Sequence, residues 1–432
     1  MEEMKNAIIK KCNTALLLVS LFYLLSCSST SNNKSNKMKN SVNKITYGSD
    51  VAFFKAKGIK TIELKDAESK ASVLIIPGYQ GRVMTSTVGG TDGVSFGWIN
   101  YKFIEAAKVS SQFNAFGGEE RLWLGPEGGP FSIYFKKGND QVFSNWAVPK
   151  EIDAEPFEVV DQSPESVSFK KEFSLENASG TKLEIGIERT VRLLNVTAAE
   201  RVIGLPIDKS LLFVGYESEN TLINKGKSDW TEQSGALSVW MLAMFNPSEK
   251  GVVFIPFKKG SESEFGKIVT DDYFGKVPSN RLIIKDGILF FKTDGKFRSK
   301  IGISPQRALP YCGSYDPEKQ ALTLLWYSSP DKPSKYVNSK WGDQEFPFRG
   351  DVVNSYNDGP VADGSVMGPF YEIESSSPAA LLSAGSKITH YQRIIHITGN
   401  EDKLNLITKK LFNYPISGIK GAFNLLPENS EK

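Results

Sequence analysis

The sequence predicts an all-β fold, a large antiparallel β-sandwich with few helices, and three observations predict it. Apolar and polar residues alternate with a period near two along much of the chain. Turn signals punctuate the alternating runs, and helical periodicity is scarce. Strands spread over the whole body with no βαβ rhythm imply antiparallel pairing rather than a doubly wound sheet.

Taken in order, Val167 to Leu175 (VSFKKEFSL) and Lys182 to Leu194 (KLEIGIERTVRLL) each read as a half-buried strand. Leu237 to Phe245 and Val252 to Phe257 are further candidates. Arg281 to Thr293 holds two apolar runs joined at Asp286-Gly287, a dipeptide suited to the positive φ angles of a two-residue hairpin turn. Tyr315-Asp316-Pro317-Glu318 predicts a second turn, ahead of a strand from Ala321 to Tyr327. Lys387 to Ile397 (KITHYQRIIHI) predicts a closing strand. A short C-terminal helix is expected over Asp402 to Leu411, capped by Asn400. No repeat of fixed period and no Pro- or Ser-rich linker interrupts the body, so residues 46–432 read as a single domain.

The N-terminus carries a different signal. Lys5, Lys10 and Lys11 precede the apolar run Ala15 to Leu25. That run spans roughly ten residues, where a membrane-spanning helix needs about 20. Leu24-Leu25-Ser26-Cys27 follows and resembles the bacterial lipobox. The resemblance implies a signal peptide over residues 1–26, cleaved before Cys27, and lipidation of Cys27 as the membrane anchor. Residues 27–45 are nearly all Ser, Asn and Lys, so a disordered tether is expected. The tether has no acidic run of the kind that often marks surface display. The expected address is therefore the outer membrane, facing the periplasm.

Composition narrows the function classes. Cleavage before Cys27 removes Lys5, Lys10 and Lys11 with Glu2 and Glu3, lowering the net charge from +3 to +2. Near-neutral, mixed charge argues against a nucleic-acid partner. Of the three cysteines, Cys12 leaves with the signal and Cys27 takes lipid. Cys312 then stands alone without a disulfide partner, and a body of about 380 residues must rely on its own core. With only His390 and His396 in the chain, a His-based metal site or a Ser-His-Asp triad has little to draw on. No P-loop, GxGxxG, GxSxG or HExxH appears, so no cofactor and no metal are expected.

Three loops rich in Gly, aromatic and carboxylate residues stand out. Phe116 to Gly129 (FGGEERLWLGPEGG) offers Glu119, Arg121 and Trp123 beside glycines that allow close backbone approach. A pyranose presents an apolar face for stacking and hydroxyls for polar contacts, which such a set would meet. A Gly-rich turn with an internal Arg–Glu pair fits the same residues. Tyr216 to Asn224 supplies Tyr216, Glu217 and Asn220, with Trp230 after it. Trp123 and Trp230 are expected to face a cleft, and the other tryptophans to be core. In Gly368 to Ala380, Glu372 and Glu374 would lie on one strand face about 7 Å apart. They are acid/base candidates if that face is buried and a charged edge if it is solvated. His390 and Arg393 on the closing strand are candidate ligand contacts, with structural roles as the alternative.

The Gly-Gly-x-x-Arg-Leu-Trp loop, the Glu-x-x-Asn-x-Leu-x-Asn strand followed by a Trp, and the late Glu-rich strand ending in Ser-Pro together resemble the galactose mutarotase-like superfamily. The resemblance covers roughly residues 50 to 400 and implies a β super-sandwich with a carbohydrate cleft. It also implies aldose 1-epimerase chemistry with Glu372 or Glu374 as the catalytic carboxylate. The chain departs from that pattern in two respects. Pro378 lies six residues past Glu372 and four past Glu374, a poor match in spacing, and no His precedes His390. The acid would then have to be Tyr216, Arg121 or a Glu of raised pKa. The expectation is a membrane-anchored lipoprotein that binds carbohydrate as an accessory of glycan use. An epimerase or glycan-active enzyme is the rival, and a structural envelope protein is the third class. Oligomeric state is left open.

Overall fold

The computed structural model describes residues 45–330, 334–361 and 364–424. Cys27, the signal segment and the tether lie outside them. Two large antiparallel sheets face each other. The ten-stranded sheet runs, edge to edge, Leu282–Lys285, Ile288–Lys292, Val252–Pro256, Tyr311–Asp316, Ala321–Tyr327, Lys387–Thr398, Leu212–Asn224, Lys182–Leu193, Ser166–Glu176 and Glu158–Gln162. The five-stranded sheet runs Ser299–Ile303, Val353–Asn357, Tyr371–Ser376, Ser238–Phe245 and Arg121–Gly125. A third sheet of Ile62–Lys65, Ser72–Ile76 and Arg82–Thr87 packs with the helix Tyr47–Ala56 around Phe54, Leu74 and Met84.

The local reasons match the sequence pattern. Ser166–Glu176 and Lys182–Leu193 pair from Ser166↔Arg192 to Glu176↔Lys182, and their alternate residues Val167, Phe169, Leu183, Ile185 and Ile187 are buried. Asp286 and Gly287 adopt φ of 57° and 87°, and the hairpin closes between them at Lys285↔Ile288. The expected closing strand, Lys387–Thr398, lies inside the ten-stranded sheet between Ala321–Tyr327 and Leu212–Asn224. Its inward Ile394 belongs to the core between the sheets, and its outward Ile395 and Ile397 pack under the helix Glu401–Phe412. That helix is capped by the Asn400 side chain, which accepts from the backbone N–H groups of Asp402 and Lys403. The three-stranded sheet and the helix Tyr47–Ala56 had no expectation in the sequence.

Between the sheets runs a buried polar layer. Arg189 and Glu120, both with fully buried side chains, pair at 2.7 Å. Glu120 also accepts from Ser218 at 3.0 Å and Gln392 at 2.9 Å. Burying such charges is costly unless every one is paired, and here the bonds also tie three strands of the ten-stranded sheet to Glu120, the residue that leads into Arg121–Gly125.

Candidate functional site

The outer face of the five-stranded sheet carries the site. Register alone puts Lys300, Tyr356, Glu372 and Met244 in one row, and Gly302, Asn354, Glu374, Leu242 and Arg121 in the next. The opposite face of Tyr371–Ser376 turns inward, where Ser375 bonds His390 and Gln392. Two diagonal ion pairs cross the outward face. Arg121 Nη2 lies 3.0 Å from Glu372 Oε1 and Lys300 Nζ lies 2.8 Å from Glu374 Oε2. Trp240 Nε1 donates to the same Glu374 oxygen at 2.9 Å.

Above this floor opens a cleft of about 850 Å³. Trp240, Lys300, Asn354, Tyr356 and Ser376 rise into it from the strands, while Glu127, Tyr273, Arg298, Trp341, Asp351 and Asp358 come from the connecting segments. Gly302 makes one of these approaches possible, because a Cβ there would stand 2.1 Å from Asp351 Oδ2. Asp351 accepts from Tyr273 Oη at 2.7 Å, and Asn354 donates to that phenol oxygen at 3.2 Å. Among the described residues, no group of three or more His, Cys, Asp or Glu is placed to hold a metal ion.

Burial sets the electrostatics. It pushes the carboxyls of Glu127, Asp351 and Asp358 above the ordinary range, with Lys300 pulling the first two back. Glu372 rises from 4.5 to about 7, through burial first, with Arg121 opposing and Glu374 adding to it. For Lys300, burial works against the charge, but the Glu374 and Glu127 carboxylates outweigh it and hold the ammonium above its usual value. Aromatic rings, hydrogen-bonding amides and carboxyl groups of raised pKa therefore share one concave surface.

The residues expected from the sequence fall in four places. Arg121, Glu372 and Glu374 come together directly beneath the cleft, 4%, 5% and 1% exposed. The guanidinium of Arg121 lies 4.2 Å over the Trp123 ring, and its Nε and Nη1 find no partner among the described residues. Glu119, Tyr216, Asn220 and His390 are fully buried between the sheets. There Glu119 accepts from Ser86 and meets His396 Nε2 at 3.0 Å. His390 contacts Ser328 and Ser375, and burial lowers its pKa to about 3. Glu217 and Arg393 pair at 2.6 Å on the far face of the ten-stranded sheet, remote from the cleft because odd-numbered residues of Leu212–Asn224 point away from the interior.

Trp123 and Trp230 are buried in the main core instead of facing a cleft. Trp123 is enclosed by Phe113, Tyr134, Trp146 and Trp240. Gly117 and Gly118, with φ of 83° and 117°, allow close approach to Trp98 and Arg82 rather than to a ligand.

Residues 45–423 match the model of a family described as "Family of unknown function (DUF6786)". The chain belongs to that family. No curated protein matches it in sequence. Among solved structures it is similar to the Slr1438 protein of Synechocystis sp. PCC 6803, at 14% identity and a TM-score of 0.47, covering 79% of this chain and 96% of that one. It is similar to a galactose mutarotase-like protein from Lactobacillus casei ATCC 334, at 11% identity and a TM-score of 0.43, over 78% of this chain and 100% of the other. A galactose mutarotase related enzyme from Lactobacillus acidophilus matches at 12% identity and a TM-score of 0.42, over 78% and 97% of the two chains.

Several cleft residues of this family member carried no expectation. Tyr273, Arg298, Asp351 and Asp358 sit in connecting segments whose local pattern says nothing of where they point. Lys300 had a usable signal. It interrupts the short strand Ser-Lys-Ile-Gly-Ile, and a lysine held 8% exposed there needs a buried carboxylate partner.

Proposed function

We propose that this protein binds carbohydrate in the cleft over the five-stranded sheet, and that Cys27 anchors it by lipid to the outer membrane with the body facing the periplasm, as an accessory of glycan use. The observation that supports the reading is the mixture on the cleft wall. Trp341 and Tyr273 bring aromatic rings beside Asn354, Glu127 and Asp351 within one cavity of about 850 Å³, with the buried Trp240 beneath them. That is near the upper end for small-molecule sites, with space for more than one sugar unit. Titration of a broad glycan panel, followed by intrinsic tryptophan fluorescence, tests it. A saturable signal is expected, weakened roughly tenfold in Trp341→Ala by loss of a stacking face. Absence of binding to any member would sink the reading and leave a structural envelope protein.

One observation favours an enzyme on the same scaffold. Glu372 is held near neutrality at about 7 within a buried carboxylate pair, the condition for acid/base exchange at working pH. An NMR assay of α/β anomer exchange separates the two readings. Exchange that disappears in Glu372→Gln establishes an aldose epimerase, and binding without exchange establishes a lectin-like protein.

A further inference from the structure

Among the described residues, three cations line the cleft, and they are not alike. Lys300 is paired with Glu374 at 2.8 Å and Lys340 with Asp272 at 2.7 Å. Arg298 has no carboxylate within 4.0 Å among the described residues. It is nevertheless fixed in place. Its guanidinium carbon stands 3.8 Å over the Phe274 ring, and its Nε donates to Tyr356 Oη at 3.3 Å. Tyr356 in turn donates to Asp358 Oδ1 at 2.8 Å, and Asp358 Oδ2 accepts from the Gly368 N–H at 3.0 Å. Asp358 thus accepts its hydrogen bonds from neutral donors, and burial raises its carboxyl above the ordinary range, with the Arg298 charge as the smallest opposing pull.

One face of the guanidinium is covered and Nε is used, so the edge formed by Nη1 and Nη2 is the part left for a ligand. Two parallel N–H donors at that edge match the two oxygens of a carboxylate or of a sulfate ester. The other polar groups at hand are amide and carboxyl side chains suited to hydroxyls, so the anion need be only one substituent of a sugar.

We propose that Arg298 selects an anionic sugar unit, a uronate or a sulfated residue, by taking its oxyanion on the Nη edge. The proposal rests on the carbohydrate reading of the cleft. The test compares matched methyl glycosides by calorimetry: each hexose of the panel, its uronic acid and its 6-sulfate. An anionic member is expected to bind about tenfold tighter than its neutral parent, with the gain shrinking as salt is added. Arg298→Gln should remove that gain, so that the acid and its neutral parent bind alike. Phe274→Ala, which loosens the guanidinium without removing it, should remove part of it. A gain confined to the uronate assigns a planar carboxylate, and an equal gain for the sulfate assigns a general oxyanion seat. Neutral sugars binding as tightly as their acids would overturn the proposal while leaving the carbohydrate reading standing. Failure of every sugar to bind would bring down both.

Discussion

Glu372 carries a clear pH signature. Its carboxyl is raised in the folded protein from 4.5 to about 7, so the fold holds a proton there that the unfolded chain releases earlier. Stability from this group is fully present below about pH 4.5 and is lost as pH rises through 7. The melting temperature of the wild type should therefore drop between pH 5 and 8 by more than that of Glu372→Gln, in which nothing titrates at this position. Parallel slopes for the two proteins would contradict the assignment. The ion pairs also rank by burial. Arg189–Glu120 is completely buried, and removing one partner strands a charge, so Glu120→Gln should cost about 3–5 kcal/mol in urea unfolding. Arg393–Glu217 is equally short, but the arginine side chain is 39% exposed. Arg393→Ala should cost less than about 1 kcal/mol.

At the scale of elements, the helix Glu401–Phe412 and its cap were readable from local chemistry alone. Asn400 satisfies two of the first backbone N–H groups, and Asn400→Ala should lower stability by about 1 kcal/mol. The long strands were readable for a similar reason, since Val167, Phe169, Ile185 and Ile187 alternate with polar neighbours. That logic fails for Tyr371–Ser376 and Ser238–Phe245. Both faces of these strands are buried, one against the ten-stranded sheet and one beneath the cleft floor. Alternation showed that Glu372 and Glu374 share a face but not that the face is enclosed. Tyr216, Asn220 and His390 were equally opaque, because a polar residue in a half-buried strand looks the same whether it meets a ligand or a polar layer between sheets. The cleft walls depend on long-range placement of Tyr273, Asp351 and Arg298, which no local period encodes.

For the whole molecule, the proposed lipid anchor at Cys27 can be tested apart from the body. Cys27→Ala should leave the body folded and shift the protein from the membrane to the soluble fraction. Mass spectrometry should show the loss of the acyl chains, each of whose buried methylenes contributes about 0.8 kcal/mol to membrane attachment. Within the body, the pairing of Arg121 with Glu372 joins positions 251 residues apart. By contrast, Ser166–Glu176 and Lys182–Leu193 are joined by a short connection, and Leu212–Asn224 pairs next to them. Contacts of low separation close first, because a long loop must be ordered before a distant pair rewards it. The antiparallel run Ser166–Glu176, Lys182–Leu193 and Leu212–Asn224 is then an early product of folding, and the Arg121–Glu372 contact that completes the cleft floor a late one. Arg121→Met should accordingly quicken unfolding while refolding in stopped flow keeps nearly its original rate. A newly made chain would pass through an interval in which it is already compact yet has no finished cleft floor, so the appearance of the proposed binding would time the last step of its maturation.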